Sequence, residues 1–81
     1  MAILIDIKKV AEDDSRADYM FTVDGAISAG VLRIDKKSNH VSLLRPLKGI
    51  AASDAHFQRS AYKIQQHWGK GNFPETATWA S

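Results

Sequence analysis

The chain has 81 residues, a formal net charge of +2 and no cysteine. That length supplies one hydrophobic core and is too short for two, and the missing thiols exclude disulfides, thiolate zinc frameworks and a cysteine nucleophile. A hydrophobic fraction of 44% beside 25% charged residues argues against a disordered chain, and no apolar run approaches the roughly 18 residues of a membrane-spanning helix.

Ile3, Ile5 and Ile7 alternate with Leu4, Asp6 and Lys8, the two-residue period of a strand with one buried face, here expected over about 2–10. No basic stretch and cleavage site precede it, so the expected location is the cytoplasm and no membrane partner is implied. Glu12–Asp18 carries four acids without an apolar anchor and reads as a solvated connection. Tyr19, Phe21 and Val23 resume the alternation in a second strand over 18–24. Asp24-Gly25 then gives the positive-φ pair of a tight hairpin, making strands two and three antiparallel neighbours.

The third strand is expected over 27–35, with Gly30 marking a bulge or a close backbone approach. The polar Lys36-Lys37-Ser38-Asn39 turns the chain into a fourth strand over 40–45, which Pro46 ends because it has no amide hydrogen. Ser53 or Asp54 is suited to cap a helix over 54–68. Phe57, Ala61, Ile64 and Trp68 fall within about 60° on its wheel, a stripe that packs on the sheet. Gly69 stands where a left-handed C-terminal cap is wanted. Residues 70–81, with Pro74 and its threonines, read as an extended tail. The expected fold is therefore a single α+β domain spanning 1–81: a four-stranded antiparallel meander, one C-terminal helix on one sheet face, and the tail.

No catalytic constellation emerges. His56 and His67 are eleven residues apart, about 16 Å along a helix, too far for one metal ion. The acidic loop matches no calcium pattern, the glycines form no phosphate loop, and no serine sits in a nucleophile elbow. No catalytic residue, metal ligand or cofactor is assigned, and the chain is read as a non-enzyme.

Two features point to binding instead. Trp68, Phe73 and Trp79 place three of the seven aromatic residues in the last fourteen positions. They either enlarge a small core or anchor another protein or a second copy of this chain. His56, Arg59, Lys63, His67 and Lys70 span about 80° of the helix, away from the apolar stripe, and form either a solvated face or an anion- or nucleic-acid-binding band. Four strands followed by one helix resemble the element order of single-stranded nucleic-acid-binding folds of the PUR and Whirly type. That resemblance implies base stacking by Tyr19 or Phe21 and phosphate contact by Arg33 on an exposed sheet face. The row Tyr19-Phe21-Val23, however, also fits the face that the helix covers. The expected function is a small non-catalytic protein-interaction accessory, inhibitor or regulatory subunit, with nucleic-acid binding as the alternative.

Overall fold

The computed structural model describes residues 4–23, 29–47, 53–71 and 73–80. Six elements follow one another: β1 (Leu4–Glu12), β2 (Arg16–Val23), β3 (Gly30–Asp35), β4 (Val41–Arg45), α1 (Ser53–Gly69) and β5 (Thr76–Ala80). The strands form one antiparallel sheet in the order β4-β3-β2-β1-β5, and α1 packs on one of its faces. The α+β class and the four-strand meander stand as expected from the sequence, but the sheet has a fifth strand.

That strand is the tail. Residues 76–80 pair with β1 in the register Leu4↔Ala80, Ile5↔Trp79, Ile7↔Ala77 and Lys8↔Thr76. Pro74 precedes the ladder rather than preventing it, and its carbonyl accepts a hydrogen bond from the Tyr19 hydroxyl at 2.9 Å. A pairing seventy residues distant along the chain leaves no local sequence signal, which is why the segment reads only as extended.

The two-residue period decides the core. Ile5 and Ile7 of β1, Ala17, Tyr19 and Phe21 of β2, and Leu32 and Ile34 of β3 all point to the helix side and are buried. The row Tyr19-Phe21-Val23 is therefore the covered face. Phe21 lies directly across from Gly30, and a Cβ at Gly30 would overlap the Cζ and both Cε atoms of that ring. Gly30 thus permits a close approach rather than a bulge. The bulges lie elsewhere, at Val10 in β1, where the register shifts between Lys9 and Ala11, and in β4 opposite Val31 and Leu32.

The acidic connection is shorter than its composition suggests. Only Asp13, Asp14 and Ser15 separate β1 from β2, because the Asp13 carboxylate folds the turn by accepting from the amides of Ser15 at 2.8 Å and Arg16 at 3.0 Å. Ala17 and Asp18 belong to β2, one buried and the other on the helix-free face against Arg33. Between β3 and β4, Asp35 likewise accepts from the amides of Lys37 and Ser38. Asn39 closes that turn in the left-handed region at φ 62°, a conformation its short polar side chain tolerates.

Ala61 and Ile64 are buried, with Phe57 and Trp68 packed beside the core, so the expected stripe faces the sheet. Its centre is rotated, however, because Ser60 is fully buried and His56 is only 6% exposed. Ser60 tolerates burial by donating its hydroxyl to the His56 carbonyl at 2.8 Å, a back-bond that removes its need for water. The left-handed cap sits at Gly71, φ 70°, rather than at Gly69, which remains helical. Gly71 and Lys70 return their amides to the carbonyls of Trp68 and His67 at 2.9 and 3.0 Å. The Asp24-Gly25 turn, the start of strand three at Ile27, and the capping side chains of Ser53 and Asp54 lie outside the described residues.

Candidate protein-binding edge and groove

The aromatic residues singled out from the tail are held within the fold. Trp68 donates its Nε1–H to the Lys36 carbonyl at 2.6 Å, and Phe73 lies beneath the Lys36 ammonium, 4.9 Å from Nζ to the ring centroid. Trp79 packs on the core from β5 and meets Tyr62 edge to face, with ring centroids 6.0 Å apart. Its Nε1–H is buried with no acceptor among the described residues. Trp68 and Phe73 converge on the β3–β4 turn, whereas Trp79 lies at the sheet edge. Only the last is positioned where another chain could pair beside it.

The basic residues do not form one exposed band. His56 is inside, with Nδ1 3.5 Å from the Arg59 guanidinium; Arg59, Lys63 and His67 are half-buried; Lys70 is exposed. Burial, and then the charges of Lys63 and Lys70, hold the His67 imidazolium pKa below its ordinary value. Arg33 is on the helix-free face but is committed to Asp18 through two bonds, Nε to Oδ1 at 2.8 Å and Nη2 to Oδ2 at 3.1 Å. Tyr19 and Phe21 are beneath the helix and present no stacking surface.

A groove of about 560 Å³ lies between the β3–β4 turn and α1, walled by His40, Val41, Phe57, Ala61, Tyr62 and Gln65. Phe57, Ala61 and Gln65 recur every fourth residue, so one helix face forms one wall. Gln65 fixes the opposite wall by donating to the Asn39 carbonyl at 3.1 Å. Among the described residues the groove contains no carboxylate, and the Asn39 Oδ1 beside it is a buried acceptor without a donor.

Strand β4 borders this groove and is an edge of the sheet. The amide of Asp35 donates to the carbonyl of His40 at 2.8 Å, which turns the backbone groups of His40 toward β3. By the alternation of an antiparallel ladder, the N–H and C=O of Val41 and Leu43 then point outward, away from any described strand. Leu43 and Leu44 are 36% and 47% exposed, and Tyr62 across the groove is 53% exposed. Sequence reading overlooked this arrangement. Its available signals were two adjacent leucines just before a strand-ending proline, and a tyrosine outside the helical stripe.

At the start of the same β3–β4 turn, Glu12 bridges Lys9 at 2.6 Å and Lys36 at 2.7 Å, while Glu75 stands 3.6 Å from Lys9. Hydrogen bonds from Lys36 and Lys9 hold the Glu12 carboxyl pKa below the usual carboxylate range, and the Glu12 bond raises that of Lys9. These charges satisfy one another and tie β1, the β3–β4 turn and the approach to β5 together. Among the described residues, no group of three or more His, Asp or Glu side chains is placed to hold a metal ion. Among the same residues, no helix is long and apolar enough to cross a membrane. No protein-family model, curated protein or solved structure matches the chain.

Proposed function

We propose that this chain is a non-catalytic binding protein that receives an extended segment of another protein along β4. The observation that carries this reading is the outward-facing backbone of Val41 and Leu43 beside the groove walled by Phe57 and Tyr62. In strand addition, main-chain hydrogen bonds supply affinity, and alternate side chains of the added strand find their pockets beside the edge. Here the edge and the pocket adjoin. Among the described residues the groove lacks carboxylates, and Arg45 ends the strand, so the segment it suits carries apolar residues in the groove and an acidic residue opposite Arg45. The nucleic-acid reading gains no comparable observation, since the aromatic row is covered and Arg33 is already paired.

The test is selection of a random decapeptide library on the full chain, followed by titration of the selected peptides against Val41→Pro. Proline there removes an amide hydrogen that β4 does not use in pairing with β3, and its φ suits an edge strand. Binding should weaken by at least about tenfold, the loss expected for about one or two hydrogen bonds, with the circular-dichroism spectrum unchanged. Equal affinity of the variant and the parent chain would refute strand addition at β4. Binding of a single-stranded oligonucleotide that falls steeply with salt would instead favour the nucleic-acid reading.

A further inference from the structure

The second edge of the sheet has a different character from β4. Strand β5 carries no charge, proline or bulge from Thr76 to Ala80, whereas natural edge strands are commonly blunted by one of these devices. Its backbone orientation follows from one bond: the Lys9 amide donates to the Glu75 carbonyl at 2.8 Å. Glu75, Ala77 and Trp79 therefore face β1, and Thr76, Thr78 and Ala80 present their N–H and C=O groups outward.

We propose that the occupant of this edge is a second copy of the chain, paired β5 to β5 in antiparallel fashion about a two-fold axis at Thr78. In that register Thr78 faces its own counterpart and Thr76 faces Ala80, so every outward donor of one copy meets an outward acceptor of the other. The pairing is closed, as an isologous interface requires. Trp79 then stands opposite Ala77 on the helix side, in a non-hydrogen-bonded pair where side chains approach most closely, and the small alanine leaves space for the indole. The exposed Tyr62, already edge to face with Trp79, lies next to the junction and extends the apolar contact. On the opposite face Thr78 meets its own counterpart.

Regularity selects this edge over β4. The bulge opposite Val31 and Leu32 interrupts the outward ladder of β4, whereas β5 pairs with β1 in an unbroken register. Pairing of β5 sets no like charges together between Thr76 and Ala80, and Glu75 is engaged by Lys9. The two edges thus take different occupants, and this inference does not depend on the proposal for β4.

The chain lacks cysteine, so a single introduced thiol reports the register. Directly opposed residues of a hydrogen-bonded pair have Cα atoms about 5.5 Å apart, within disulfide reach. Thr78→Cys should therefore form a disulfide-linked dimer on mild oxidation while Leu43→Cys remains a free-thiol monomer. In sedimentation velocity, the parent chain should move from 9.0 kDa toward twice that mass as concentration rises. Thr78→Pro, which removes an amide hydrogen unused in the β1–β5 ladder, should weaken self-association at least about tenfold. Thr78→Lys provides the same test without altering the backbone. A parent chain that stays monomeric into the hundreds of micromolar, or a dimer that survives both Thr78 variants and dissociates with Val41→Pro, would overturn the proposal.

Discussion

Two tryptophans on the same packed face have opposite polar fates, and that contrast can be measured. The Trp68 indole N–H reaches the Lys36 carbonyl at 2.6 Å; that of Trp79 is buried without an acceptor. Replacing Trp68 by Phe removes a hydrogen bond, leaves the carbonyl without that partner and shortens the ring, at a cost of about 2 kcal/mol. In Trp79→Phe the lost ring volume is offset by relief of an unpaired donor, which alone costs about 1 to 3 kcal/mol. Chemical denaturation should therefore show Trp68→Phe clearly less stable than Trp79→Phe, and equal losses would mean that the Trp68 bond contributes nothing. Neither fate was legible in the sequence. Aromatic spacing identifies a ring that wants burial, but the acceptor for Trp68 is a backbone carbonyl in a distant turn. The burial of His56 was hidden for a related reason: its helical neighbour Ser60 counts as polar in any periodicity, yet satisfies itself on the His56 carbonyl.

At the scale of the element, local chemistry was readable and long-range pairing was not. The alternation in β1 and β2, the polar turn before β4, and the Phe57-Ala61-Ile64-Trp68 stripe each state their own geometry within a few residues. Strand β5 depends instead on β1, and its threonines and alanines specify extension without naming a partner. The groove was obscure for the same reason, since Val41 and Tyr62 meet only once the helix has returned across the sheet. That makes the tail a sharp test of what stabilises the fold. Removal of residues 73–81 would leave β1 paired only with β2, uncover the β5 side of Ile5 and Ile7, and deprive the Tyr19 hydroxyl of its Pro74 acceptor. Uncovering even two large apolar side chains costs about 3 to 6 kcal/mol, comparable with the roughly 4 to 12 kcal/mol available to a domain of this length. The truncated chain should lose its cooperative thermal transition. A truncated chain with the parent midpoint would show that β5 is an accessory strand.

Across the whole molecule, the ion cluster at the β3–β4 turn sets how stability depends on pH. Glu12 joins β1 to that turn through Lys36 and Lys9, and these bonds depress its pKa below the ordinary 4.5. Asp13 and Asp35 are depressed below 3.8 by backbone amides, chiefly those of Ser15 and Lys37. A carboxyl group whose folded pKa lies below its unfolded value binds fewer protons when folded, so its contribution is full above the unfolded pKa and is lost as pH falls through the folded one. His67 acts in the same direction at higher pH: its folded pKa is below 6.5, so the unfolded chain takes up the proton first and acidification through that range favours unfolding. Lys9, raised above 10.5 by Glu12, contributes below that value and ceases to do so as pH rises through its folded pKa. The thermal midpoint should accordingly be highest between neutrality and about pH 9, decline gently below 6.5, and fall more steeply below about 4.5. His67→Gln should flatten the first decline, and Glu12→Gln should lower the plateau while reducing the second. An acid arm of unchanged slope in Glu12→Gln would assign the acid sensitivity to the turn aspartates rather than to the bridge that joins β1 to the β3–β4 turn.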